Sequence, residues 1–187
     1  MCVLCVIKAG HNLPTREDLW AMHKANPHGM GFASKSVSYR GMNFETFYNR
    51  LQFVPKDENI IIHFRFATHG SIGVKNCHPF KKGQMWFAHN GILDVTPRGD
   101  MTDSETAFQD ILYPIAREYG IGSEELHSTV DEIIGYSKFA FLDGEGNVVT
   151  FGNFEEYHDM LCSNLNWVHY IETYRTRYSR AWYSCLA

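Results

Sequence analysis

The alternation of apolar and polar positions divides the chain into short strands toward both ends and helices in the middle. Strands are predicted where apolar or β-branched residues run together between turn signals. The predicted strands are Cys2–Ala9, Met30–Lys35, the segment NIIIHFRFAT ending near Thr68, Gln84–His89, two strands in the hairpin KFAFLDGEGNVVTFG, Met160–Cys162 and Trp167–Ile171.

Helices are predicted where a capping residue precedes a run with helical spacing. The predicted helices run from a cap at Thr15 to about Ala25, from a cap at Asn43 to Leu51, from Thr102 or Asp103 to about Glu118, and from a cap at Ser123 to about Ile134. This order of elements predicts an α+β protein in which helices pack on antiparallel sheets. The sequence has no GxGxxG or Walker motif, which argues against a nucleotide-binding fold.

Length and composition narrow the class of protein further. The 187 residues are 44% apolar and fit a single domain over residues 1–187, for which we expect no attached synthetase domain. A net charge of −4 gives no reason to expect nucleic acid or an anionic membrane as a partner. No apolar stretch approaches the roughly 18 residues of a membrane-spanning helix, and the apolar start lacks the preceding basic residues of a signal peptide.

The cysteines indicate a reducing compartment. Their number is odd, their spacing is irregular, and no CxxC pair suggests a zinc ribbon or a redox dithiol. We therefore expect a reduced, cytoplasmic protein. The five are Cys2, Cys5, Cys77, Cys162 and Cys185.

Cys2 is the first candidate for chemistry, because loss of Met1 would leave its thiol and a free α-amine on one residue. A thiol pKa near ~8.5 and an α-amine pKa near ~7.7–8.0 are close enough for proton transfer between the two groups. An N-terminal nucleophile activated by its own amine supports covalent catalysis. Taken alone, however, Cys2 is more simply interpreted as the first residue of a buried strand.

Arg65 lies within an otherwise apolar predicted strand, in the segment HFRFATHG. A buried arginine needs an anionic partner, since an unpaired interior charge costs several kcal/mol. That partner is either a structural Asp or Glu, or the carboxylate of a substrate, whose geometry matches the guanidinium in a bidentate pair.

Two further segments carry polar groups at the ends of predicted elements. Asn90 and Gly91 close the strand FAHNGIL and could present two N–H donors side by side as an oxyanion hole, or form a plain hairpin turn. Asp103, in TDSET, could cap a helix or receive a ligand ammonium. Together, Arg65 and Asp103 could bracket the α-carboxylate and α-ammonium of an amino acid.

These segments resemble a known family when taken in order. The chain is similar to the class II (N-terminal nucleophile) glutamine amidotransferases, in a compact stand-alone form. The resemblance runs from residue 1 to about residue 106, with a sixth, weaker match at CSN (Cys162–Asn164). The segments that carry it are Met1-Cys2, NPHGMGFA, HFRFATHG with NCHPF, FAHNGIL and TDSE.

The resemblance implies a fold, a reaction and a set of roles. The fold would be an αββα four-layer sandwich with antiparallel sheets, and no cofactor would be needed. The enzyme would attack the side-chain amide of glutamine, form a γ-glutamyl thioester, release ammonia and glutamate, and pass the ammonia to a synthetase partner. The implied roles are Cys2 as nucleophile and, through its α-amine, general base, Asn90 and Gly91 as the oxyanion hole, Arg65 with Thr68 and His69 as ligands of the α-carboxylate, and Asp103 as ligand of the α-ammonium.

The sequence departs from the family pattern in two places. Val3-Leu4 follows the nucleophile where many members have Gly-Ile, and His28 stands where compact relatives often have Asp. The second departure puts any role of the NPHG turn in doubt.

Three other functions compete with glutamine hydrolysis. One is a γ-glutamyl amide or peptide hydrolase of the same fold, and another is a non-catalytic binding protein that has kept the fold. The third is a metal hydrolase, but the spacing of the candidate ligands matches neither HExxH nor a zinc finger, so we expect no metal. Those candidates are His63, His69, His78, His89, Cys77 and Asp103.

The carboxyl-terminal segment YIETYRTRYSRAWYS interleaves arginines with aromatic residues. Such a pattern can bind single-stranded nucleic acid. Three arginines are few, and the aromatic spacing also suits a strand or a protein interface. We therefore expect packing or partner docking and no nucleic acid.

Overall fold

The computed structural model describes residues 2–68 and 70–176. Its ten strands form one six-stranded and one four-stranded sheet, and every paired strand is antiparallel to its neighbours. The strands are β1 (Val3–Ile7), β2 (Met30–Ala33), β3 (Ser38–Gly41), β4 (Ile60–Phe64), β5 (Phe80–Lys82), β6 (Met85–Asn90), β7 (Lys138–Leu142), β8 (Val148–Phe151), β9 (Glu155–Tyr157) and β10 (Met160–Cys162).

The sheets differ in how their strands follow the chain. The six-stranded sheet has the order β3-β2-β4-β1-β10-β9, so its two central strands come from distant parts of the sequence. The four-stranded sheet has the order β5-β6-β7-β8. The antiparallel sheets that were predicted are therefore confirmed.

The helices lie in two groups along the chain. The first group is α1 (Arg16–Ala25) and α2 (Phe44–Leu51), and residues 170–176 are also helical. In the second group, α3 (Asp103–Thr106) continues through a π-helical segment (Ala107–Leu112) into α4 (Tyr113–Tyr119), and α5 (Glu124–Ile133) follows. A short 3-10 helix covers Val74–Asn76.

Three apolar clusters define four layers. One cluster packs α1, α2 and the helical residues near Ile171 on the outer face of the six-stranded sheet. A second packs α4, α5 and the π-helical segment on the outer face of the four-stranded sheet. The third lies between the sheets and contains Leu4 and Val6 of β1 opposite Ala88 and Ala140. The αββα sandwich implied by the resemblance is confirmed.

The position of β1 explains its nearly continuous apolar sequence. Successive side chains of a strand point to opposite faces, so Leu4 and Val6 enter the cluster between the sheets while Val3, Cys5 and Ile7 enter the outer cluster. Both faces of β1 are buried, so its sequence does not alternate between apolar and polar residues.

The predicted helix caps are confirmed. Thr15 and Asp18 form a reciprocal capping box, and the side chains of Asn43 and Ser123 each accept a backbone N–H in the first turn of their helices. The central helix, which consists of α3, the π-helical segment and α4, is capped by Thr102, whose hydroxyl accepts the Glu105 N–H. Asp103 is therefore the first helical residue.

The strand predictions are wrong in three respects. The strand predicted to reach Thr68 ends at Phe64, so Arg65 lies just beyond β4. Residues 167–171 form a turn followed by a helix, because Trp167, Ile171 and Tyr174 recur with helical spacing and pack on the outer cluster. The short strands β3, β5 and β9 were not predicted, since their sequences are largely polar and partly exposed.

The carboxyl-terminal tail is only partly described. Residues 170–176 are helical, which contradicts a strand there, while residues 177–187, including most of the predicted docking segment, lie outside the described residues. Among the described helices, none has the length and apolarity needed to cross a membrane.

Candidate active site

A cleft that is partly open to solvent lies where β1 begins and where β4 and β6 end. Antiparallel pairing of Val3 with Phe64 puts the residue before β1 beside the residues that follow β4. Of the seven predicted site residues, Asn90 is buried and is not among the residues that line the cleft, and His69 lies outside the described residues. The other five line the cleft: Cys2, Arg65, Thr68, Gly91 and Asp103.

The Cys2 thiol is held by the backbone of Phe66. Its Sγ lies 3.3 Å from the Phe66 nitrogen, which donates to it, and 3.5 Å from the Phe66 carbonyl oxygen. The Asn164 side chain donates to the Cys2 carbonyl over 2.9 Å. Burial raises the pKa of the Cys2 thiol, although the Phe66 N–H and the charge of Arg65 oppose that effect. The thiol therefore needs a base to remove its proton before the sulfur can attack.

Arg65 is 5% exposed and lines the cleft. Its Nη1 donates to the Ser71 carbonyl oxygen over 2.9 Å, which fixes the direction of the side chain. The Arg65 backbone is paired on both sides, donating to Gly29 O over 2.8 Å and accepting from His28 N over 3.0 Å. The guanidinium therefore stands in a rigid frame at the cleft wall.

The NPHG turn, which the sequence left in doubt, supports this frame. His28 Nδ1 accepts the Ala67 N–H over 2.9 Å, and the His28 ring packs on the Phe66 ring with centroids 5.0 Å apart. The adjacent strand also allows a close approach, since a Cβ on Gly31 would lie 2.2 Å from the His78 carbonyl oxygen. The turn and strand β2 thus position the segments that flank the cleft.

Asn90 and Gly91 end β6 without forming a hairpin turn. The chain continues through residues 92–102 to α3, and the antiparallel partner of β6 that follows it in sequence is β7, which begins at Lys138. Asn90 is 3% exposed, and its Nδ2 donates to Ser163 Oγ over 2.7 Å. Gly91 has φ +149°, and a Cβ there would lie 2.1 Å from Ser137 Oγ, so the position requires glycine.

Asp103 faces the cleft from the amino-terminal turn of the central helix. Its Oδ2 accepts the Leu93 N–H over 3.0 Å, and its Oδ1 accepts the Ser104 hydroxyl over 3.2 Å. Ser104 Oγ lies 2.7 Å from His89 Nδ1. Thr102, and not Asp103, caps the helix. The Asp103 carboxylate instead bonds to the loop after Gly91, and the residue lines the cleft.

Three histidines are buried at the cleft, and two of them, His78 and His89, line it. His63 Nε2 lies 3.1 Å from the His89 carbonyl oxygen and 3.1 Å from His78 Nδ1. Because a carbonyl oxygen only accepts, His63 Nε2 carries the proton, and His78 Nδ1 is then the acceptor. Within residues 2–68 and 70–176, no three His, Cys, Asp or Glu side chains are arranged to hold a metal ion.

Burial sets the protonation state of these rings. It lowers the pKa of His63 to about 3 and the pKa of His89 to about 4, and it lowers the pKa of His78 well below its usual value. All three rings are therefore neutral at pH 7, and each can accept as well as donate a hydrogen bond.

Several residues of the site were not predicted from the sequence. Asn76 and Ser104 line the cleft, and Ser163 and Asn164 hold the predicted residues Asn90 and Cys2. The segment Cys162–Asn164 was recognised only as a weak match. Small polar residues directly after a buried strand were the available signal, and such residues are common in turns.

Comparisons with known proteins connect this cleft to a family. The family model described as glutamine amidotransferases class-II matches residues 50–162, more than half of the chain. The matched region contains Arg65, Asn90, Gly91 and Asp103, and Cys2 precedes it.

Two of the curated proteins that match do so over shorter stretches. A Haemophilus influenzae protein named "Putative glutamine amidotransferase" is 48% identical over 56 residues, which cover 28% of this chain and 18% of that protein. Glutamine–fructose-6-phosphate aminotransferase (isomerizing) of Caulobacter vibrioides is 28% identical over 99 residues, which cover 46% of this chain and 16% of that protein.

Among solved structures, glutamine phosphoribosylpyrophosphate (PRPP) amidotransferase from B. subtilis superposes with a TM-score of 0.60. The superposition has 15% sequence identity and covers 92% of this chain and 44% of that chain. At this identity the likeness shows the fold alone. The chain spans less than half the length of each of these three relatives.

The neutral state of His89 predicts a dependence of stability on pH. The pKa of His89 is about 4 in the folded protein and near 6.5 when unfolded, so the unfolded chain binds more protons between these values. The free energy of unfolding should therefore fall as the pH falls below about 6.5. Urea denaturation at several pH values measures the slope of the unfolding free energy against pH. Between pH 7 and pH 5 this slope should be smaller in His89→Gln, by the equivalent of up to one fewer proton bound on unfolding. An unchanged slope would show that His89 has the same pKa in the folded and the unfolded protein, which would contradict its lowered pKa.

Proposed function

The chain belongs to the class II glutamine amidotransferases, and from that premise we propose that it hydrolyses the side-chain amide of glutamine with Cys2 as the nucleophile. One observation carries the proposal. Cys2, the buried Arg65, Gly91 and Asp103, which come from four separate segments, line the same cleft and supply a thiol, a guanidinium, a backbone N–H and a carboxylate. These are the groups needed to hold an amino acid at one end and attack its amide at the other.

The proposed first step is proton transfer from the thiol. Loss of Met1 gives Cys2 a free α-amine, and this amine takes the thiol proton directly or through a water molecule. A base is needed because burial raises the pKa of the thiol. The bond from Asn164 to the Cys2 carbonyl supports this step, since it restrains the residue that carries both the amine and the thiol.

The proposed second step is attack on the amide carbon. The carbon–sulfur bond forms while the carbonyl oxygen becomes an oxyanion, which accepts hydrogen bonds from the Asn90 side chain and the Gly91 N–H. The protonated amine returns the proton to the leaving nitrogen, and ammonia departs as the γ-glutamyl thioester forms. Water then hydrolyses the thioester, which releases glutamate and restores the thiol.

The amino-acid end of glutamine is proposed to lie between Arg65 and Asp103. A Cβ built on Gly70 would lie 3.5 Å from Arg65 Nη2 and 3.3 Å from Thr102 Cγ2, so the guanidinium and the start of the central helix are close neighbours. This spacing supports a pair of contacts in which Arg65, with Thr68 and His69, binds the α-carboxylate and Asp103 binds the α-ammonium. Opposite charges at both groups would select a free amino acid.

The fate of the ammonia is proposed by analogy with the family. Glutamine amidotransferases use glutamine as the source of ammonia, and we propose that a separate synthetase accepts it here. Free thiols at Cys2, Cys5, Cys77 and Cys162 are in keeping with our proposal that the protein works in the cytoplasm.

Replacing the nucleophile gives the first prediction. Cys2→Ala should lower glutamine hydrolysis by a factor on the order of 10⁶, to background, since the covalent step has no substitute. Glutamate release from L-glutamine measures the effect. Cys5→Ala is the matched control, because Cys5 is a buried thiol on the same strand that faces Cys162 and not the cleft. Activity retained in Cys2→Ala would disprove the mechanism, and faster turnover of γ-glutamyl alkylamides than of glutamine would favour the rival hydrolase.

Replacing the ammonium ligand gives the second prediction. Asp103→Asn should raise the KM for L-glutamine about 10- to 100-fold, because a charge-assisted bond contributes roughly 1.5–3 kcal/mol. The KM for glutaramate, which lacks the α-amine, should be nearly unchanged. Asp100→Asn is the control, since Asp100 is an exposed carboxylate paired with Lys75. Equal effects of Asp103→Asn on both substrates would show that Asp103 does not bind the α-ammonium.

A further inference from the structure

Ser163 lies where the two sheets meet behind the cleft. It directly follows β10 and is 4% exposed. Its hydroxyl oxygen accepts the Leu4 N–H over 2.9 Å and the Asn90 Nδ2–H over 2.7 Å. Its own N–H donates to the Leu4 carbonyl over 2.8 Å. One side chain thus bonds to β1 in the six-stranded sheet and to the last residue of β6 in the four-stranded sheet.

Both bonds reach groups that the proposed reaction uses or depends on. Leu4 is two residues from the nucleophile, so the bond to its N–H fixes the start of β1. The next residue, Asn164, donates to the Cys2 carbonyl. Residues 163 and 164 therefore fix the positions of Cys2 and Asn90 relative to each other, although Asn90 lies in one sheet and Cys2 directly precedes a strand of the other.

The bond to Ser163 also determines the orientation of the Asn90 amide. The side-chain amide has two N–H groups and one carbonyl oxygen. When one N–H donates to Ser163, the plane of the amide is fixed and the nitrogen end is held in place. An amide rotated by 180° would instead direct its oxygen toward a developing oxyanion, which repels it.

We propose that Ser163 is a positioning residue that holds the Asn90 amide with its N–H directed at the oxyanion. This inference rests on the proposed function, because it assumes that Asn90 stabilises the oxyanion of glutamine hydrolysis. Ser163 acts through Asn90 and does not touch the substrate. A hydroxyl that only satisfied the buried Leu4 N–H would stabilise the fold without any effect that depends on Asn90.

A double-mutant cycle separates these two roles. Ser163→Ala should lower kcat for glutamine at least about 10-fold, a part of the ~10²–10³-fold contributed by one oxyanion-hole donor, with little change in KM. In the Asn90→Ala background, the same substitution should lower kcat less than about 2-fold. Ser163→Thr, which keeps the hydroxyl, should restore most of the rate.

A second readout follows the oxyanion directly. Glutamate γ-semialdehyde can add to the thiol and form a tetrahedral adduct that places its oxygen in the same hole. Ser163→Ala should lower the affinity for this inhibitor by about the factor by which it lowers kcat. It should leave the affinity for the product glutamate unchanged. If Ser163→Ala does not fold, Ser163→Cys, which keeps the shape with a much weaker acceptor, takes its place in both experiments.

Ser34→Ala is the control for removing a buried serine hydroxyl. The Ser34 hydroxyl accepts the Val37 N–H and donates to the Val37 carbonyl, both over 3.2 Å, just after β2 of the same sheet and outside the cleft lining. Its loss should lower the urea midpoint and leave kcat unchanged. An equal loss of kcat on Ser163→Ala with and without Asn90, or no loss at all, would overturn the positioning role. Failure of the proposed function would look different, since the wild-type protein would then not hydrolyse glutamine, or Asn90→Ala would keep the full rate.

Discussion

The antiparallel pairing of β1 with β4 on one side and with β10 on the other is the constraint on which the cleft depends. It brings the start of the chain beside residues that lie about 60 and 160 positions away in sequence. The pairing with β4 sets Cys2 against the Phe66 backbone and near Arg65. The pairing with β10 sets it against Asn164. A strand buried on both faces tolerates no slip in register, because a shift of one residue would exchange its two apolar faces.

Close contact between the sheets provides the second half of the site. Three of the eight buried residues in the cluster between the sheets are alanines: Ala33, Ala88 and Ala140. The sheets therefore approach closely enough for the Ser163 hydroxyl of one to bond to Asn90 of the other over 2.7 Å. The proposed nucleophile and oxyanion donors thus lie at strand ends of the two sheets, and the residues proposed to bind the amino-acid end come from the loops and the helix start around them.

Local signals in the sequence were sufficient to predict much of this structure. The caps at Thr15, Asn43 and Ser123 were predicted because a cap depends on neighbours within one helical turn. The motifs around Arg65, Asn90 and Asp103, taken together, identified residues of the cleft and its surroundings. Ser163 could not be predicted in this way, since its two partners lie 159 and 73 residues away and its role arises only when the sheets pack. The helix near Trp167 was mistaken for a strand because a short apolar run does not distinguish the two.

The central claim is that the thiol of Cys2, at the amino terminus of the processed chain, attacks glutamine. Intact-mass spectrometry after treatment with an electrophilic chloroketone analogue of glutamine tests it most directly, followed by peptide mapping of the modified site. The account predicts a single adduct, on a chain that lacks Met1, mapped to Cys2 and prevented by excess L-glutamine. An adduct at another cysteine, or a modified chain that still carries Met1, would contradict it.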